Sequence, residues 1–421
     1  MITVLFGTYD SRHAANRLLQ ADLVRAGVEV RVCHAPLWQE TRDKDRDYFG
    51  PLSLLGLGGR WLRAALGLAL RFRVAAPGAD CVVVGFNGQL DVLLARLLAG
   101  SRRVVFVPLV TLTETLVEDR AVYRRAGLVA RLLRAVDRLT LHAADRVVVD
   151  TGAHAAWMVR ELGMDAARLR VCPLGAEEIF AAAGPGEGYA GNDAAAAGIG
   201  DGVVPREAPG EGDAGNDVSA PRPEGTAALV SVGEGGPGRA PGERLRVLAY
   251  ASYLPLHGLD VVIEAARLLG PEAGLAFELV GRGPGYPSIA RGARDLSHVR
   301  LTDWLPYGEL IARIRSADVV LGIFGASVKT QIVVPNKVYQ AAQIGRCVLT
   351  ADTPAIREIF MPGESIEVCA PNATALAAAL RRLAADVPHT AGVGAAACAA
   401  VAREAGPERR SARLRAILEE T

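Results

Sequence analysis

Aromatic side chains are scarce, 5% of the 421 residues, and the charges nearly cancel at a formal +1. A balance that close gives no overall field for gathering nucleic acid, so none is expected as a partner. Half of the residues are hydrophobic and 22% are charged, which excludes wholesale disorder. Six cysteines (Cys33, Cys81, Cys172, Cys347, Cys369, Cys398) stand singly with no CxxC spacing. Buried thiols in a reducing compartment are the simplest reading. No uncharged run reaches the roughly 18 residues a spanning helix needs. The opening MITVLF reads directly as a strand, with no basic segment followed by an apolar one. No secretory signal is therefore expected, and a cytoplasmic enzyme follows.

What is present is an alternation of strand-like and helical patterns, on a chain long enough for two to three domains. In the first half, strand-like Ile2 to Phe6, Val28 to Cys33, Cys81 to Val84, Val104 to Val107, Val147 to Asp150 and Leu169 to Cys172 are separated by segments with helical or mixed apolar patterns. The second half repeats the scheme with Val247 to Tyr250, Ala276 to Val280, Val299 to Leu301, Val319 to Leu321 and Cys347 to Thr350. Such alternation implies βαβ units and mostly parallel sheets, so the expected class is α/β with two Rossmann-like domains facing a cleft. Expected boundaries are 1–180 and 244–405, with a last helix at 406–421. Residues 181–243, rich in Gly, Ala, Pro, Glu and Asp, cannot bury enough surface to offset their ordering entropy, and a disordered linker is predicted there.

The most informative stretch is VVPNKVYQAAQIG, Val333 to Gly345. Pro335 and Asn336 are helix-start signals, Gly345 is a stop signal, and Lys337 falls in the first turn. A lysine beside unpaired helix N–H groups outlines a phosphate site. It follows a strand, Val319 to Gly322, and ligands of such sheets bind at the carboxyl ends of strands. The loop GRGPG, Gly281 to Gly285, with Asp303 about 20 residues on, weakly suggests dinucleotide binding, but its glycines fall at first, third and fifth places rather than first, third and sixth. A loop lining a nucleotide cleft is the preferred reading. Trp304 beyond the next strand suits either a nucleobase stack or a buried strand end.

Several segments of the second half resemble the donor domain of family 4 glycosyltransferases: AYASYLPLHGLDVVIEAARLL from Ala249, FELVGRGPGY from Phe277, LTDWLPYGEL from Leu301, ADVVLGIFG from Ala317, and VVPNKVYQAAQIGRCVLTADTPAIRE from Val333. In the first half, ADRVVVDTGAHAAWMVRELG from Ala144 and RVCPLGAEEIF from Arg170 resemble the end of the acceptor domain. The resemblance implies the GT-B fold, a nucleoside-diphosphate sugar donor, retention of anomeric configuration, and no essential metal or other cofactor. It also exposes departures. Where the family commonly has Arg and Lys in the first donor-domain loop, this chain has Ser252 and His257; where it often has two glutamates eight apart, this chain has Ile332 and Gln340. Lys329 and Lys337 are then candidates for the cations that stabilise a departing diphosphate, with a protonated His257 as a possible third and Ser252 as a hydrogen-bond donor. Arg282, Gly283, Trp304, Gly325, Asn336 and Gln340 complete the expected donor site.

In the first half, Gly7 is expected at the donor, where it lets backbone approach a ligand, and Asp10 and His13 lie in the same turn within reach of acceptor or donor, though Asp10 or Ser11 as a plain helix cap is slightly favoured. Thr111, Asp119 and Arg120 follow a strand end and suit hydroxyl recognition; Glu114 among them is the candidate base or positioning group. The cluster DKDRD, Asp43 to Asp47, mimics a metal motif but alternates with basic residues and reads as a solvated loop. Leu52 to Val74, apolar with Arg60, Arg63, Arg71 and Arg73, fits either an anionic membrane surface, the inner face in a cytoplasmic protein, or a packed helix with a basic face. The acceptor is a small molecule, a glycan or a lipid-linked compound. The competing function is a catalytically silent protein of the same fold that binds a sugar nucleotide or a partner, and a nicotinamide oxidoreductase is the weaker third.

Overall fold

The computed structural model describes residues 1–11, 13–37, 51–181 and 243–420. The charged cluster at 43–47, Arg12 and the linker residues 182–242 lie outside the described residues.

The first sheet holds β1 (Ile2–Gly7), β2 (Glu29–His34), β3 (Cys81–Val84), β4 (Arg103–Phe106), β5 (Arg146–Val149) and β6 (Leu169–Val171). All pairings are parallel, in the order β2-β1-β3-β4-β5-β6. Strands such as CVVV and RVVF are β-branched and buried almost throughout, as a parallel sheet covered on both faces requires. Helices α1 (Ala14–Arg25), α2 (Pro51–Ala75), α3 (Gln89–Ala99), α4 (Leu128–His142), α5 (Gly152–Leu162) and the short α6 (Glu178–Ala181) join them, with a π-helical turn at Glu114–Asp119. Only the step from β1 to β2 runs one way along the sheet; every later step runs the other way. Right-handed crossovers therefore put α1 on one face and α2 to α5 on the opposite face.

The second sheet holds β7 (Leu245–Tyr250), β8 (Leu275–Val280), β9 (Val299–Thr302), β10 (Val319–Leu321), β11 (Cys347–Ala351) and β12 (Glu367–Cys369), all parallel in the order β12-β11-β10-β7-β8-β9. Its helices are α7 (Leu259–Leu269), α8 (Tyr286–Ala293), α9 (Tyr307–Ser316), α10 (Val328–Ile332), α11 (Asn336–Gln343), α12 (Pro354–Arg357), α13 (Ala373–Ala385), α14 (Val387–Ala405) and α15 (Pro407–Glu419).

The last helix crosses back to the first sheet. Leu414, Ile417 and Leu418 pack with Leu5, Leu19 and Leu23, and the buried Arg410 grips Asp22 of α1 through two hydrogen bonds of 2.8 and 2.9 Å. The halves also share core: Leu256, Ile323, Ile332 and Val333 pack with Val149 and Trp157, and Phe180 packs with Val338 and Tyr339. Helix α14 has no counterpart in the sequence reading, because its run of Ala, Gly and Val shows no polar face to contrast with an apolar one. Its small residues serve close approach: a Cβ on Gly394 would stand 2.3 Å from the Gly345 carbonyl oxygen. Helix α1 is capped by His13, whose Nδ1 accepts from the Ala15 N–H, so neither Asp10 nor Ser11 is its cap.

Candidate active site between the two halves

Loops at the carboxyl ends of both sheets meet, and glycines set how closely those of the second half nest. A Cβ would lie 2.2 Å from the Ala251 oxygen at Gly281, 1.8 Å from the Ser252 oxygen at Gly283 and 2.7 Å from the Tyr253 oxygen at Gly285. The GRGPG loop thus lies flat against the loop after β7, and backbone contact explains its glycines. Gly258 (φ +60°) and Gly325 do the same one layer over, where a Cβ would stand 2.4 Å from Phe324 and Pro255 backbone atoms respectively. Phe324 and Gly325 donate to the carbonyls of His257 and Leu256. Tyr253 holds a left-handed backbone, φ 51°, in the same loop; such strain in a non-glycine residue persists where the surroundings enforce it.

His257 is buried in that nest, its Nδ1 accepting from the Leu254 N–H at 3.0 Å. Burial, then the charges of Lys337 and Lys329, hold its pKa well below the ordinary histidine value. The ring is neutral at physiological pH, which corrects the expectation of a third cation here.

Helix α11 starts at Pro335 with no side chain capping it. Lys337 in its first turn is buried, and its ammonium lies 5.8 Å from the centre of the Tyr250 ring. Burial pulls this lysine down to about 7. No carboxylate pairs with it among the described residues. Of the chain's 47 basic residues only Lys44, Lys329 and Lys337 are lysines, and the last two sit at this junction.

Lys329, on α10, reaches into the first half, where Glu114 Oε1 lies 3.6 Å from its ammonium. Glu114 opens the π-helical turn, fully buried, and its second oxygen lies 3.2 Å from Nε2 of His154 on α5. Nδ1 of His154 contacts Asp150 at 2.8 Å. Burial opposes charge on Glu114 and His154, yet mutual attraction prevails: Glu114 is held below the ordinary carboxylate value by His154 and Lys329, and His154 is raised to about 10 by Glu114 and Asp150. Two carboxylates and two cations therefore balance across the domain junction. Ser327 donates to Asp119 at 3.0 Å, Thr151 donates to the Ile332 carbonyl, and Glu358 accepts from the Gly152 and Ala153 N–H groups at the start of α5. A carboxylate at a helix N-terminus is favoured by the dipole.

A glycosyl transferase-like family model matches residues 261–416, and a glycosyl transferase 4-like domain model matches residues 7–175. The chain belongs to the family 4-like glycosyltransferases. No curated protein matches it. Among solved structures, sucrose-phosphate synthase from Thermosynechococcus elongatus superposes with TM-score 0.65 at 14% identity, over 98% of this chain and 97% of that one. Alr3699/HepE from Anabaena, solved with UDP and glucose, gives 0.61 at 12% over 98% of each chain. A trehalose-6-phosphate protein from E. coli bound with UDP-2-fluoro glucose gives 0.64 at 10%, over 100% and 99%. The architecture is GT-B, two parallel six-stranded sheets in successive halves.

In this glycosyltransferase the remaining sequence candidates separate into three groups. Thr111 and Asp119 join the Glu114 cluster: Thr111 Oγ1 accepts from the Glu114 N–H, and Asp137 of α4 fixes the preceding loop by accepting from Leu112 and Thr113. Arg120 closes the π-helical turn, its N–H donating to Thr115. Gly7 (φ +142°) abuts Asp91, where a Cβ would stand 2.7 Å from the carboxylate that also accepts from the Thr8 N–H; Asp10 is buried nearby, its carbonyl accepting from Asn16. Arg282 pairs with Asp303 at 2.9 Å and lies over the Tyr286 ring, while Trp304 is 43% exposed and free to stack. Gln340 is engaged at both ends, accepting from Tyr250 and donating to Tyr307, which in turn donates to Glu177 of the first half. Asn336 is half-buried at the start of α11.

Sequence reasoning missed His154, Asp150, Glu358 and the Tyr307–Glu177 link. Their partners lie in the other half or on a helix that read as ordinary packing, so no local spacing announced them.

Proposed function

We propose that the enzyme transfers a sugar from a nucleoside diphosphate, of the uridine class that the Anabaena and E. coli neighbours were solved with, to an acceptor hydroxyl with retention of configuration. The observation that carries this reading is Lys337: an ammonium buried at an uncapped helix start, with no carboxylate partner among the described residues, lacks only an anion. A diphosphate supplies it. As the sugar–phosphate bond breaks, negative charge grows on the leaving phosphate, and Lys337, the α11 N–H groups and Lys329 oppose it without a metal. Lys329 is held to Glu114 by charge at 3.6 Å rather than by a close hydrogen bond, so it can lean toward the phosphates.

Glu114 acts as a positioning residue. A carboxylate sealed from solvent and held down by two cations is a poor proton acceptor, so it aims Lys329 rather than activating the acceptor. His257 contributes shape and a hydrogen bond, Ser252 and the Gly325 backbone face the donor, and Trp304 offers a stacking surface. The acceptor, a small molecule, glycan or lipid-linked compound, binds on the first half.

The test is release of nucleoside diphosphate from a panel of sugar nucleotides, with and without a chelator, for the wild type and for Lys337→Ala. Turnover that survives chelation and falls roughly 10- to 150-fold in the variant is expected, since charge-assisted contacts of this kind contribute about 1.5–3 kcal/mol each. Turnover that needs added divalent ion, or that Lys337→Ala leaves intact, refutes the assignment. The anomer of the product reads out retention.

A further inference from the structure

Helices α2, α3 and α4 lie side by side on one face of the first sheet, as the crossover directions require. Their outward surfaces are apolar. On α2, Leu62, Leu66, Leu70 and Val74 repeat every fourth residue and are 58% to 82% exposed, so they form one stripe along the helix. Leu97 of α3 is as bare, and Leu128, Leu132 and Leu139 extend the surface along α4.

The charge around the stripe has a single sign. Arg60, Arg63, Arg71 and Arg73 on α2, and Arg131 and Arg138 on α4, are exposed. The three helices contain only two carboxylates, Asp91 and Asp137, both 1% exposed and turned inward to hold the loops at Thr8 and Thr113. Helices of the second half differ: α7 carries Asp260 and Glu264, both exposed, on its outer side. A wide leucine surface fringed by arginine and free of exposed carboxylate is not an ordinary solvated face.

We propose that this face docks on a bilayer rich in anionic phospholipid, with the leucines entering the headgroup boundary and the arginines pairing with lipid phosphates. A second copy of the chain fits poorly, because a two-fold contact would set arginines against arginines with no carboxylate to neutralise them. Arginine suits the lipid because its apolar stem lies along the leucines while its planar fork meets phosphate in two places. The contact is peripheral: no described helix is long and apolar enough to cross a membrane. The inference rests on the first half's outer surface and is independent of the donor chemistry.

Vesicle flotation tests it, using equal parts phosphatidylglycerol and phosphatidylcholine against phosphatidylcholine alone, at low and high salt. The full chain is expected to float with the anionic vesicles at low salt and to be released by high salt. Each arginine near an anionic surface is worth about fivefold in partitioning, so Arg63→Glu with Arg73→Glu lowers binding ~100-fold or more. Leu66→Asp with Leu70→Asp lowers it at least tenfold, while Arg291→Glu with Arg294→Glu, at the end of α8, changes nothing. Circular dichroism and vesicle-free turnover of all three variants match the wild type. The proposal is overturned if the wild type fails to float, if the α2 variants float as well as it does, or if it forms a dimer that Leu66→Asp dissolves and no vesicle binds.

Discussion

Removing the charge of Lys337 separates stability from ligand binding in a way few other substitutions do. Its pKa falls from 10.5 to about 7 on folding, through burial. Between those two values the unfolded chain holds a proton that the folded chain lacks, so stability rises with pH across the window from 7 to 10.5. At pH 7 the cost to the folded state is roughly 4 kcal/mol. Lys337→Met keeps the volume and removes the charge, so it raises stability toward that figure at pH 7, and the gain shrinks to nothing near pH 10.5. Donor binding moves oppositely. A sugar nucleotide has a diesterified diphosphate that does not titrate near neutrality, so any proton taken up on binding belongs to the protein. At pH 8 about one tenth of the free lysine is charged and nearly all of the bound lysine is, which gives an uptake of about 0.9 proton and an affinity that falls close to tenfold per pH unit above 7. Calorimetry of donor binding in buffers of different ionisation enthalpy measures the uptake directly, and the Met variant serves as the zero. Donor binding with no proton uptake in the wild type, or a Met variant less stable than wild type at pH 7, refutes the reasoning.

Two further perturbations probe the frame around the lysines. His154→Ala strands Glu114 and Asp150 as buried carboxylates and costs ~3–5 kcal/mol at pH 6; because His154 rises from 6.5 to about 10 on folding, its contribution is complete below 6.5 and disappears as pH climbs through 10. Urea unfolding at both ends of that range reads the difference, and a gap between wild type and variant that does not narrow at high pH sinks the ion-cluster assignment. Gly283→Ala forces a Cβ to 1.8 Å from the Ser252 oxygen, and two backbones must separate, at ~1–3 kcal/mol. The donor KM should rise at least tenfold with melting temperature reduced, and an unchanged KM would mean the GRGPG loop does not shape the donor site.

The fold was legible because parallel strands are written as short apolar runs that need no partner to be noticed. RVVV and CVLTA announce themselves, and Pro335 and Gly345 bracket a helix that spans Asn336–Gln343. Helix α14 was not legible, since a helix made of small residues buries itself by closeness rather than by an apolar stripe. The glycines at 281, 283 and 285 carried a signal that the dinucleotide template obscured: each leaves room for a backbone oxygen of the loop after β7.

Charge was the least legible property, and the reason is physical. His257, Lys329 and Lys337 each read from sequence as a cation because each is one in water, but three positive charges gathered in a water-poor junction cannot all persist. The structure ranks them by what faces each. Lys329 faces Glu114, itself anchored through His154 to Asp150. Lys337 has only the face of Tyr250 and hovers near half-charge at neutral pH. His257 is buried and has two lysines nearby, and gives up its proton. What would let the second of these recover its full charge is a dianion, and the arrangement is therefore incomplete in the sense that a diphosphate completes.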